Sequence, residues 1–174
     1  MRLSRSFPRC IPALLLAVWL PDAAATEEAP EPALRAVLFY NFLKFADLPA
    51  NGSSDQVLNI CVAARDPELL TAMGRLRERP LRSRRLAVRA YEAAADCDAI
   101  YVESRARWQA IVNGAGAPGA LTVGAYAGFV DDGGIIELSF DRDRSRFDIN
   151  LVAARQAGIR LYPQLLRLAR RLID

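Results

Sequence analysis

The sequence predicts an α/β fold: a single compact domain with a central mixed sheet of about five to six strands, flanked by helices and finished by a late antiparallel hairpin. Three observations predict it. Short apolar runs alternate with helical patterns through the middle of the chain, the signature of parallel strands joined by helices. Two alternating segments, "GIIELSF" and "RFDINL", follow each other closely and read as a hairpin at or near one edge. The 174 residues, 52% of them hydrophobic, suit one well-filled core.

The first 25 residues fall outside that domain. "MRLSRSFPR" is basic, "CIPALLLAVWL" is an apolar run of eleven, and Ala23 and Ala25 stand where a signal peptidase cuts. The run is short for a membrane span. Residues 1–25 are therefore expected to be a signal peptide, 26–33 a flexible lead-in, and 34–174 the folded domain. Loss of Arg2, Arg5, Arg9 and Asp22 lowers the formal net charge from +3 to +1. With it goes most of the case for nucleic-acid binding. "RLRERPLRSRRLAVR" (75–89) stays locally basic. It reads as a solvated helix end and loop, with contact to acidic groups as the alternative.

"EPALRAVLFYNFLKFADLP" is expected to be one helix, carrying Leu34, Val37, Leu38, Phe42 and Phe45 at helical spacing and stopped by Pro49. Phe39, Tyr40, Phe42 and Phe45 point in several directions, so cover on two sides is expected. "VLNICVAA" is a strand. "RDPELLTAMGRLRER" is a helix with Asp66 as N-cap and Pro67 in its first turn. "LRSRRLAVRAY" and "CDAIYVES" are strands, "SRARWQAIVNGAG" a short helix, and "GALTVGAY" a strand. The hairpin follows a turn at Asp132-Gly133-Gly134. The tail "VAARQAGIRLYPQLLRLARRLID" reads as two helices, broken at Gly158 and restarting at Pro163. In "SRFDINLVAARQAG", strand period passes into helical period with no loop between.

Few groups offer chemistry. There is no His, the commonest general base. Lys44 is the only Lys and lies in no S-x-x-K pattern. Asp131/Asp132 and Asp141/Asp143 fall in turns, where acids serve local hydrogen bonds. "NGAGAPGA" follows a helix and precedes a strand, the reverse of a dinucleotide loop. No catalytic residue, metal site or cofactor is expected. Cys61 and Cys97 are the two cysteines of the exported chain. In an oxidising compartment they are most simply a disulfide, and their spacing is not that of a C-x-x-C redox pair.

The order "LRAVLFYNFLKFADLP", "LNICVAARDPELLTAM", "DCDAIYVES" and "GALTVGAYAGFVDDGGIIELSFDRDRSRFDINLVAARQAGIRLYPQLLRLAR" resembles the YfiR family of bacterial periplasmic proteins, over nearly the whole exported chain. The resemblance implies a compact α/β fold, dimerisation and no catalysis. It implies a repressor that binds the periplasmic sensor domain of an inner-membrane diguanylate cyclase and lowers cyclic-di-GMP, and thereby biofilm formation. It also implies an outer-membrane-associated partner that sequesters the repressor. Cys61 and Cys97 match a family cysteine pair, while a second family disulfide near the hairpin has no counterpart here. Partner contacts are expected where the matching pattern is densest: Phe129, Glu137, Phe147, Asp148 and Asn150. Read as residues alone, Phe129 and Phe147 also fit core packing, and Asn150 a helix N-cap. A periplasmic small-molecule-binding module, using the crevice at the strand C-termini, is the alternative function.

Overall fold

The computed structural model describes residues 31–49, 56–93, 96–114, 116–141 and 144–174, without the side chain of Asp141. The expected signal peptide, residues 26–30 of the expected lead-in and residues 142–143 of the expected hairpin turn lie outside them, while residues 31–33 of that lead-in belong to the first helix. Helix α1 (Glu31–Lys44) is followed by β1 (Ala46–Asp47), β2 (Val57–Ala63) and α2 (Pro67–Gly74), which tightens into a 3₁₀ turn at Arg75–Glu78. Next come β3 (Arg85–Ala90), β4 (Ala99–Val102), α3 (Arg105–Asn113) and β5 (Leu121–Gly124). The chain ends with β6 (Ile136–Asp141), β7 (Arg144–Asn150), α4 (Leu151–Gln156), β8 (Arg160–Leu161), α5 (Pro163–Leu166) and β9 (Arg171–Ile173).

Seven strands form the main sheet in the order β3-β2-β4-β5-β6-β7-β9. Neighbours from β3 to β6 are parallel, β7 returns antiparallel to β6, and β9 lies parallel to β7. The apolar runs of β2 and β4 follow from cover on both faces. Leu58, Ile60, Val62 and Tyr101 face the larger core beneath α1 and α2, with Phe39, Phe42, Leu69 and Met73. Cys61, Ala63, Ile100 and Val102 face a smaller core with Trp108 and Ile111 of α3. The aromatic residues of α1 meet two surfaces: Phe39 packs edge-on to Tyr101, and Phe42 packs edge-on to Phe147.

Local signals decide the helix ends. The Asp66 carboxylate accepts from the Glu68 N–H at 2.9 Å, with Pro67 opening α2. Asn150 Oδ1 accepts from the Ala153 N–H at 2.9 Å, so β7 passes into α4 without a loop. Gly158, at φ +68°, closes α4 in a left-handed turn that glycine adopts at no steric cost.

Cys61 and Cys97 form a disulfide with Cα atoms 5.8 Å apart, closing 36 residues that hold α2 and β3. Loop-closure entropy makes such a link worth roughly 3–4 kcal/mol.

Two expectations need correction. The first helix stops at Lys44, not Pro49. The Phe45 carbonyl accepts from the Tyr162 N–H at 2.9 Å, and Ala46–Asp47 pair antiparallel with Arg160–Leu161 in a separate two-stranded ribbon. The second tail helix is a single turn, because β7 offers a better partner. The Arg170 N–H donates to the Phe147 carbonyl at 2.8 Å, and residues 171–173 join the sheet as its seventh strand. Tertiary pairing overrides the helix propensity of "LLRLARRLID".

Candidate partner-binding surface

The connection between β5 and β6 (125–135) is a loop built around one ring. Phe129 is fully buried, edge-on to Trp108 at 5.0 Å and to Tyr126 at 5.3 Å. Gly124 and Gly134 press on that ring from two sides. A Cβ at either would lie 2.2 and 2.1 Å from its atoms, so only glycine fits.

Register then supplies a polar floor. Gly124 pairs with Glu137, Glu137 with Asp148, and Asp148 with Arg171, giving one row across four strands. Glu137, 5% exposed, accepts from the Gly128 N–H at 3.1 Å and the Val130 N–H at 3.4 Å. Thr122 accepts from the Ile135 N–H at 3.0 Å. Asn150 donates to the Val130 carbonyl at 2.9 Å while capping α4, so one side chain joins the loop to the helix.

Charges clamp the loop from outside. Asp148, 1% exposed, accepts from Arg170 at 2.8 and 2.6 Å and from Arg171 at 3.2 Å. The Arg170 hydrogen bonds hold its carboxyl below the ordinary range, against the opposing effect of burial. Arg171 also reaches Asp131 at 3.2 Å. Asp132 accepts from Arg105 at 2.8 Å and from the Tyr126 hydroxyl at 3.0 Å, and its carbonyl accepts from Trp108 Nε1 at 3.0 Å. Burial, and then the bond to Asp132, push the Tyr126 phenol up.

The structure thus brings four of the five residues expected at a partner contact to this loop, Phe129, Glu137, Asp148 and Asn150, while Phe147 points to the opposite face of the sheet and packs on Phe42 of α1. Phe129, Glu137 and Asp148 lie inside, and Phe147 and Asn150 are half-buried. Asn150 is the N-cap and Phe129 a core ring. Solvent meets Asp131, Asp132 and Gly133, flanked by Arg105, Arg170 and Arg171. Sequence reasoning did not assign Arg105, Tyr126, Arg170 or Arg171 to this surface. The acidic pair at 131–132 was the signal that cations must come near.

A second feature lies where β2 and β4 send their connections in opposite directions, the crevice position of open α/β sheets. A cleft of about 250 Å³ there is lined by Arg65, Glu103, Ser104 and Arg107. Glu103 already accepts from the Arg65 N–H at 2.7 Å. Among the described residues, no three His, Cys, Asp or Glu side chains gather as a metal set, and no helix is long and apolar enough to cross a membrane.

The sheet order, the two-faced cover and the locked loop define a disulfide-linked α/β domain of the doubly wound kind. The chain belongs to the YfiR/HmsC-like family (DUF4154), whose sequence profile matches residues 32–170. At the family level this is a periplasmic, regulatory, non-catalytic group acting in cyclic-di-GMP signalling. No curated protein matches the sequence. Two solved structures share the fold. One is a conserved domain protein of Vibrio cholerae O1 biovar El Tor, at 15% identity and TM-score 0.51, covering 82% of this chain and 60% of that one. The other is the ABC domain in complex with L-Trp from Streptococcus pneumoniae, at 12% identity and TM-score 0.52, covering 79% and 62%. The chain spans about three fifths of the length of these structures.

Proposed function

We propose that this chain binds the periplasmic sensor domain of an inner-membrane diguanylate cyclase and represses it, lowering cyclic-di-GMP. The family match over residues 32–170 carries the reading. The contact surface proposed is the locked loop with the β6–β7 hairpin. Asp131, Asp132, Arg105, Arg170 and Arg171 make its charged rim. Phe129, Glu137, Asp148 and Asn150 set its shape from beneath, and Phe147 backs the hairpin from the α1 face. Such a surface is rigid before binding, which limits the ordering cost of association. Repression is then a population shift, because the chain binds one sensor conformation better than the other. A homodimer and an outer-membrane-associated sequestering partner complete the proposal.

Deleting the gene tests it. Cellular cyclic-di-GMP is expected to rise, and a crosslinked pull-down to recover the cyclase. Unchanged cyclic-di-GMP with no cyclase recovered overturns the reading.

The cleft between the β2 and β4 connections favours a second reading, a small-molecule-binding module. Its Arg65 and Arg107 suit a ligand bearing an acid group. A thermal-shift screen of carboxylate metabolites with no stabilisation overturns this alternative.

A further inference from the structure

The basic segment 75–89 is not used by the surface described above. It holds seven arginines against one acid, Glu78. The fold places it on the 3₁₀ turn, the turn 79–84 and β3, which is the outermost strand at that side of the sheet. Arg75, Arg77, Arg79, Arg82, Arg85 and Arg89 are exposed.

Their hydrogen bonds orient these side chains without neutralising them. Arg77 donates to the Val88 carbonyl, Arg84 to the Val57 carbonyl and Arg89 to the Asp96 carbonyl. Among the described residues only Arg82 meets a carboxylate, Asp47 at 3.2 Å. The side chains of Arg75 and Arg85 have no hydrogen-bond partner there, and Arg79 lies over the Tyr40 ring at 5.8 Å.

That ring joins the cations to apolar surface. The Tyr40 hydroxyl donates to the Pro80 carbonyl at 2.7 Å, and Lys44 stands 5.9 Å from the ring centre. One helical turn back along α1 lie Val37 and then Leu34, 43% and 36% exposed. Exposed aliphatic groups beside unneutralised cations are the pattern of a face that lies on a lipid interface.

We propose that the β3 edge, with Leu34, Val37 and Tyr40 of α1, docks on an anionic phospholipid bilayer. Guanidinium groups pair with headgroup phosphates, for which their planar fork is suited. Leu34 and Val37 enter the headgroup–acyl boundary. An open sheet edge with cations along its length matches an extended charged plane better than one acidic protein pocket does. The docking holds the chain at a membrane surface. It is independent of the cyclase reading, since its test contains no cyclase.

The test is co-sedimentation of the purified chain with phosphatidylglycerol/phosphatidylcholine vesicles and with phosphatidylcholine alone. Binding is expected only to the anionic vesicles and is expected to weaken with salt. R75E/R79E/R85E, which removes no side-chain hydrogen bond among the described residues, is expected to lower partitioning at least about tenfold. Leu34→Ser/Val37→Ser is expected to lower it while keeping the salt dependence. R144E/R146E at the hairpin tip, a charge reversal elsewhere, is expected to leave it unchanged. Circular dichroism confirms that each variant folds. Absence of wild-type binding to anionic vesicles overturns the proposal, even if an acidic protein binds this edge. So does equal loss in the hairpin control. Unchanged binding by the Leu34/Val37 variant overturns the apolar part.

Discussion

Glu137 and Asp148 stand directly opposite each other in the β6–β7 ladder, and both are buried. Cross-strand partners hold their Cβ atoms about 4.5–5.5 Å apart, and like charges there are destabilising. The two are satisfied by different means. Asp148 takes two guanidinium groups from the C-terminal segment, while Glu137 takes two backbone N–H groups from the 125–135 loop. One carboxylate therefore fixes the tail and the other fixes the loop.

Replacing Glu137 by Leu keeps much of the size but removes the one oxygen, Oε2, that accepts from both the Gly128 and the Val130 N–H. Stability is expected to fall by about 1–3 kcal/mol, the usual cost of an unmet buried polar group. Urea denaturation checks it. The loop is expected to loosen first, seen as faster amide exchange at Gly128 and Val130.

Acid should release the tail. The folded pKa of Asp148 is depressed, first by its hydrogen bonds with Arg170. That of Asp47 is also depressed, first by the hydroxyl of Tyr162. A depressed carboxyl stabilises the fold fully above its unfolded pKa of about 3.9, and the contribution disappears as pH falls through the folded value. Stability is therefore expected to be flat in this respect above about pH 5 and to fall below about pH 4. Asp148→Asn is expected to be less stable at neutral pH, with a shallower decline in acid. Thermal melts across the pH range measure both.

The ring of Phe129 makes Gly124 and Gly134 intolerant of any side chain. Gly134→Ala is expected to cost on the order of 1–3 kcal/mol, as overpacking does. Phe129→Leu in the same chain is expected to recover part of that loss, because the clash is with the ring itself. A double-mutant cycle by chemical denaturation gives the coupling.

Legibility followed the length of the local pattern. β2, β4 and β5 are apolar runs buried on two faces, and turn residues mark their ends, so composition alone reveals them. Asp66 and Asn150 cap helices through neighbours two and three residues away, and such short-range bonds are readable. The strands β1, β8 and β9 have only two or three residues, too few to show a period of two. Asp148 looked like the polar face of a strand because its partners lie 22 and 23 residues downstream. The same holds for the loop: "GFVDDGG" reads as a turn, while its anchors Glu137 and Asn150 become anchors only through register.

The C-terminal strand tests how far that distant pairing stabilises the domain. Removing residues 168–174 deletes β9 with both cations of Asp148, and leaves a carboxylate of 1% exposure to solvent or to protonation. Losing the partner of a buried charge typically costs about 3–5 kcal/mol. The truncated chain is expected to unfold at much lower urea than the full chain. If the cost is the orphaned charge, Asp148→Val in the truncated chain should restore a good part of the loss. The same substitution in the full chain should destabilise, because it strands Arg170 and Arg171 beside an apolar group. If instead truncation is equally harmful with and without the Asp148→Val substitution, the main contribution of β9 is its ladder with β7. Urea midpoints of the four chains separate the two accounts.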